Sequence, residues 1–137
     1  MTNRLDVGWV LALFMAVLLA ACSNPPQEAS YSIKMTGQAL FEPATLIIER
    51  GATVVWKNYG NIVHTVTSDP QLSSVDGNIR MLQSNATESW SSGDIYPGQS
   101  WRHTFTTPGE YLFFCRFHEQ ENMVGLIRVV EKASEEE

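Results

Sequence analysis

The chain has 137 residues, of which 44% are hydrophobic and 18% charged, and its formal net charge is −6. That length suits one domain, and that balance supports a packed core and excludes an intrinsically disordered chain. Lys and Arg form no cluster anywhere in the sequence, which excludes nucleic acid as a partner class, because a phosphate backbone needs a basic footprint.

In chain order, Arg4 sits in a short polar stretch, and the fifteen residues 7–21 (VGWVLALFMAVLLAA) are almost wholly apolar. A membrane-spanning helix needs about 20 such residues, so this stretch matches the core of an export signal instead. It ends in Leu19-Ala20-Ala21-Cys22, which resembles the lipobox of bacterial lipoproteins. The resemblance implies that residues 1–21 are a removable signal peptide and that Cys22 carries lipid. It also implies a domain tethered at the cell envelope, facing the periplasm or the exterior. An uncleaved anchor helix and ordinary secretion with Cys22 as a spare thiol are the competing readings; small residues ahead of a Cys favour the lipoprotein. The remainder of residues 22–29, SNPPQEA, is polar with two prolines and reads as a flexible tether. The chain has two cysteines. If Cys22 is lipidated it cannot pair, and Cys115 is left as a lone thiol in an oxidising compartment, which a bound metal would protect.

The domain is expected over residues 30–132, with β pattern throughout. Short runs rich in Val, Ile, Thr and aromatic residues alternate with Gly, Pro, Asn and Asp turns. The expected strands are 30–35, 45–48, 53–58, 63–67, 101–106, 110–115 and 125–130. Residues 69–99 are more polar and carry Pro70, Gly77, Gly93 and Gly98; a weak edge strand near 88–91 and a helical turn are expected there. No long helical repeat follows residue 29, and there is no internal repeat. Many short strands with close turns predict an all-β, Greek-key β-sandwich or barrel. Asn85-Ala86-Thr87 matches a glycosylation acceptor, a chance match if the lipobox is bacterial. Residues 133–137, ASEEE, form an acidic tail.

The chemistry concentrates where the strand 110–115 ends. Two residues separate Cys115 from His118, and four separate His118 from Met123, so one short loop can turn a thiolate, an imidazole and a thioether toward one point. His64 lies far upstream, but strand ends and loops of a sandwich gather at its two poles, where it can meet that loop. Two His, one Cys and an axial Met are the donor set of a blue-copper site. Zinc is the alternative, although closed zinc sites usually carry two or more Cys and Met is a poor zinc ligand. Trp101, His103 and Phe105 alternate on one strand face with no ligand spacing, so His103 reads as structural. Gln120 could offer an axial oxygen, but Met123 holds the better position.

These residues resemble the cupredoxins of the plastocyanin, pseudoazurin, halocyanin and auracyanin type. The similarity runs through Phe41-Glu42-Pro43, residues 50–58 (RGATVVWKN), His64-Thr65-Val66, residues 97–100 (PGQS), Phe105, residues 108–111 (PGEY) and Phe114-Cys115. The resemblance implies a barrel of about eight strands, one copper ion on His64, Cys115, His118 and Met123, and one-electron transfer. Relatives often place Asn after the upstream His to tie the two ligand loops together; here Thr65 stands there, behind the ligands, and its hydroxyl can make a similar bond. Relatives usually place Pro between Cys and His, where this chain has Arg116-Phe117. His118 is the expected electron port, with Phe117 beside it. Phe114 alternates away from Cys115 and is expected outside the core, either as a second port or as a sheet-packing aromatic.

The expected partners are redox proteins such as cytochromes or a terminal oxidase, and the carrier is expected to be monomeric. Copper enzymes need further His-rich sites, whereas the whole chain has three His, so an enzyme is not expected. A chaperone or accessory protein delivering copper to an oxidase is the alternative, but the exposed Met- or His-rich sequence it would need is missing.

Overall fold

The computed structural model describes residues 29–73 and 88–133. The signal peptide, Cys22, the tether up to Glu28, the Asn85 sequon and the tail beyond Ala133 lie outside the described residues.

Seven strands run through the described chain: β1 (Ser30–Met35), β2 (Phe41–Glu42), β3 (Thr45–Glu49), β4 (Thr53–Asn58), β5 (Ser100–Thr104), β6 (Gly109–Phe114) and β7 (Val124–Val130). They make two sheets, ordered β2-β1-β4-β5 and β3-β7-β6. The pairs β1–β4 and β3–β7 are parallel and the other three are antiparallel. The result is the expected all-β sandwich.

Side-chain alternation sets which face is inside. Ile33 and Met35 of β1, Val54 and Trp56 of β4, Tyr111 and Phe113 of β6, and Ile127 and Val129 of β7 are all buried in one core. Trp56 is its hub, with the rings of Trp90, Trp101, Phe105 and Phe113 at centroid distances of 5.4 to 6.4 Å. His103 lies flat on Trp101, 5.7 Å between centroids and 12° between planes, and meets the edge of Phe105 at 4.8 Å. Burial holds its pKa below the ordinary value, against a smaller opposing pull from Glu88. It is a member of the aromatic core, as its strand phase implies.

The structure departs from the sequence expectation at three places. Residues 63–67 form no ladder; they make single bridges, His64 to Ile95, and Thr67 to Ser91 and Phe114. Residues 64–68 are buried one after another, so this segment is packed on both sides and bonded to its neighbours through scattered backbone and side-chain hydrogen bonds instead of a regular ladder. The region 88–91 likewise contributes a single bridge at Ser91, so the described residues hold seven strands, in keeping with a sandwich of about eight. The helical turn is a 3-10 turn at Pro70–Leu72, capped by Asp69, whose carboxylate accepts the Gln71 N–H at 2.9 Å. Third, Phe114 does face away from Cys115, but it is 0% exposed. Its backbone exchanges hydrogen bonds of 2.9 and 3.1 Å with Thr67, so the 64–68 segment runs along this end of β6 and the ring does not reach the surface. A surface port at Phe114 is therefore corrected to a buried packing role.

Two side-chain contacts fix the β6–β7 half. The Tyr111 hydroxyl donates to the Thr107 carbonyl at 2.7 Å, pinning the turn before β6, and burial raises its pKa. Gly125 on β7 lies against the Phe113 ring, and a Cβ there would come within 2.8 Å of the Ala44 carbonyl oxygen. Tyr111→Phe should therefore cost about 1 kcal/mol, read as a lower denaturant midpoint at unchanged slope. Gly125→Ala should cost more, about 1–3 kcal/mol of overpacking, by the same measurement.

Candidate metal centre

Cys115 continues the inward phase of Tyr111 and Phe113 for one more step. That step carries its thiol past the last paired residue and into the interior, where it is 0% exposed. The loop that follows is closed by its own backbone. His118 N–H donates to the Cys115 carbonyl at 3.1 Å, Met123 N–H to the His118 carbonyl at 3.0 Å, and Cys115 N–H to the Met123 carbonyl at 3.0 Å. A 3-10 turn, Glu119–Glu121, fills the loop, and Asn122 in the left-handed conformation (φ 63°) turns the chain into β7. Asn is among the few residues that adopt this conformation readily. Cys115, His118 and Met123 are thus held at the two ends and the middle of one hydrogen-bonded loop, with Met123 fully buried.

His64 is held separately. Its backbone exchanges hydrogen bonds of 3.1 and 2.7 Å with Ile95. The loop before it is organised by Asn58, whose side-chain NH2 donates to the carbonyls of Ile62 (2.8 Å) and Ile95 (2.9 Å) and whose Oδ1 accepts from Gly60 N–H (2.9 Å). Gly60 packs against the turn after β1 so closely that a Cβ would lie 2.7 Å from Gly37 N. This approach brings the Thr36 carbonyl to 2.9 Å from His64 Nε2. Nε2 therefore carries the proton and donates, which leaves the Nδ1 lone pair free for a metal. Burial lowers the His64 pKa, more than the Thr36 bond raises it, and His118 lowers it further. A neutral imidazole is the form that can coordinate.

The ligand atoms of His64, Cys115 and His118 all lie within 4.8 Å of one another. Cys115 Sγ is 3.4 Å from His118 Nδ1 and 3.8 Å from His64 Nδ1. Atoms bound to one first-row ion at about 2.0–2.3 Å stand about 3.5–3.8 Å apart at trigonal to tetrahedral angles, and the two sulfur–nitrogen distances are close to that spacing. Its composition, one thiolate, two imidazoles and a buried thioether, is that of copper. The sulfur also receives the Thr65 N–H at 3.3 Å. Thr65 Oγ1 lies 3.9 Å from the sulfur and accepts the Arg116 N–H at 2.9 Å. A hydroxyl thus links the two ligand segments, at the position where the resemblance led one to expect Asn.

At the surface, His118 is half-buried and Phe117 is 49% exposed, with the Arg116 guanidinium 5.6 Å from the Phe117 ring centre. His103 and Phe114 stay out of the cluster. Three supports escape the sequence reading: the Thr36 carbonyl, Asn58, and Glu119. The Thr36 group is backbone and leaves no trace in residue type. In the sequence Glu119 is only one acidic residue of the ligand loop, yet it is 2% exposed and accepts a 2.6 Å hydrogen bond from Ser73 Oγ.

The comparisons agree with this geometry. The profile of "Copper binding proteins, plastocyanin/azurin family" matches residues 28–130. A chloroplastic plastocyanin of Tetradesmus obliquus is 34% identical over 125 residues, covering 89% of this chain and 77% of its own. A plastocyanin of Synechococcus sp. (strain JA-2-3B'a(2-13)) is 30% identical over 134 residues, covering 94% of both chains. Among solved structures, the "Novel Purple Cupredoxin from Nitrosopumilus maritimus" shares the fold, with a TM-score of 0.54 and 24% identity over 73% of this chain and 99% of that one. The chain belongs to the plastocyanin/azurin family of copper binding proteins, and copper is the ion that His64, Cys115, His118 and Met123 are built to hold.

Proposed function

We propose that the protein is a one-electron carrier, tethered by lipid at the cell envelope, that shuttles electrons between redox partners such as cytochromes or a terminal oxidase. The bound copper supplies a Cu(I)/Cu(II) couple. The observation that carries the reading is the unequal burial of the ligands: His64, Cys115 and Met123 are 0% exposed, whereas His118 is half-buried. Four protein donors leave no open position for a substrate, unlike catalytic metal sites, which keep one. The chain's other residues hold the donors still. The Thr36 carbonyl fixes the His64 ring, and the Thr65 N–H and hydroxyl fix the sulfur and the loop behind it. A cage that does not rearrange suits an ion that changes charge without changing ligands.

His118 provides the outlet. Its ring is the ligand nearest solvent, and exposed Phe117 beside it offers an apolar contact for a partner surface. The same burial disfavours the alternative of a copper chaperone, which must release its ion to a recipient. Support for the tether is the Leu19-Ala20-Ala21-Cys22 sequence after an apolar stretch, and several acyl chains give stable anchoring where one does not.

The copper-loaded protein should show one intense visible absorption band and reversible one-electron oxidation. Cys115→Ser should abolish the band while the domain stays folded; a colourless Cu(II) form of the parent protein would overturn the carrier reading. In the bacterial host, Cys22→Ala should move the protein from the membrane to the soluble fraction. An unchanged membrane fraction would remove the lipid tether.

A further inference from the structure

Glu119 poses a question that copper ligation alone does not answer. A carboxyl group removed from water loses solvation worth several kcal/mol unless the protein replaces it. This one is 2% exposed and follows directly on the ligand His118. Among the described residues it accepts from Ser73, 46 residues away in sequence, at 2.6 Å, the short distance typical of a hydroxyl donating to a carboxylate. Ser73 closes the 3-10 turn at Pro70–Leu72, its own N–H bonded to the Pro70 carbonyl at 3.2 Å. That turn is tied in its turn to the His64 segment, because Thr67 Oγ1 accepts the Asp69 N–H at 3.1 Å and donates to the Trp90 carbonyl at 3.0 Å.

The ligand loop closes on itself through backbone bonds among Cys115, His118, Glu119 and Met123. Such bonds keep its shape but do not fix its placement against His64. Among the described residues, side-chain ties that do this lie on each side of the exposed residue Phe117. Thr65 Oγ1 takes the Arg116 N–H just after Cys115, and Ser73 Oγ–H meets Glu119 just after His118. Both partners come from residues 65–73, the segment that begins at His64.

We propose that Glu119 is a positioning residue for the copper site: its buried carboxyl, clamped by Ser73, sets the orientation of the His118 ring against the His64 half of the cage. The proposal rests on the carrier reading only for its purpose, since the clamp itself is a property of the chain. The Thr65 tie fixes the sulfur end of the loop and the Glu119 tie fixes the imidazole end. Loss of the second leaves the loop closed but free to pivot about Arg116, and His118 is the ligand that moves. Glu119→Gln keeps the size and an oxygen that can accept from Ser73; Ser73→Ala and Glu119→Ala remove the bond.

The test compares Ser73→Ala, Glu119→Ala and Glu119→Gln with the parent in two forms. In metal-free protein, hydrogen exchange of the amides of residues 116–123 should speed about tenfold in the two alanine variants, the factor expected for one lost hydrogen bond to a charged group. In copper-loaded protein, the same two variants should show a shifted thiolate-to-copper band, an altered Cu(II) hyperfine splitting and roughly tenfold faster copper loss to a chelator. Glu119→Gln should restore most of each. Ser73→Ala with exchange, spectrum and copper loss all equal to the parent would overturn the clamp, and so would Glu119→Gln as impaired as Glu119→Ala. If Glu119→Ala does not fold, Ser73→Ala still decides, because it removes one hydroxyl at a half-buried site. If the parent itself gives no coloured copper form, the carrier reading falls, while the exchange measurement still judges the clamp.

Discussion

The copper pole depends on one contact between halves of the chain: the Thr65 N–H pointing at Cys115 Sγ across 3.3 Å, 50 residues apart in sequence. A sulfur at the end of β6 and an imidazole on a different segment can share an ion only if those segments are locked together. The lock is mostly main chain. The Thr67 and Phe114 backbones exchange hydrogen bonds, the Arg116 N–H reaches Thr65 Oγ1, and the Thr65 N–H reaches the sulfur. Each also satisfies a polar group in a region shut off from water, where an unpaired donor costs about 1–3 kcal/mol. The site is therefore shaped by the same bonds that make burial of 64–68 tolerable.

This explains what the sequence disclosed and what it withheld. The four ligands were legible because copper demands side chains of particular chemistry, and Cys115, His118 and Met123 lie close enough to be read as one loop. The inward phase of Tyr111, Phe113 and Cys115 was legible because a strand alternates strictly. The 63–67 segment was misread as a strand because its Val and Thr residues have strand propensity. That propensity cannot tell a ladder from a segment packed on both sides. Phe114 shows the same limit: its phase was read correctly, but phase alone does not say whether an outward face is covered. Nothing in the sequence marks Glu119 as buried, since its residue type is usually exposed, and the hydrogen bond from distant Ser73 shows that it is held inside. The Thr36 carbonyl could not be read at all, since every residue but its neighbours could have supplied the same group.

The fold also separates rigidity from access. Beneath the site lies the aromatic core around Trp56, with Phe113 two residues before the copper-binding Cys115 and Phe41 edge-on to it at 4.8 Å. Dense aromatic packing resists displacement, because interiors are packed as tightly as organic crystals. That rigid floor fixes Cys115 from below, while Ile95 and Thr36 fix His64 from the side. The Arg116–Asn122 loop, by contrast, has solvent on one face.

The loop has to reconcile two demands, and its sequence shows how. Electron transfer to a partner needs His118 near the surface, but a stable ligand geometry needs it immobile. The cupredoxin resemblance leads one to expect a proline between Cys and His; here Arg116-Phe117 occupies those positions and restricts the backbone less than a proline would. The missing local stiffness must be supplied from outside the loop, by bonds that do not cover the His118 edge. Thr65 and Ser73 meet that condition, because both reach the loop from the His64 side and leave Phe117 and the solvent face of His118 open. In this chain the stiffness that proline gives by covalent geometry comes instead from two hydrogen bonds at the ends of the exposed segment.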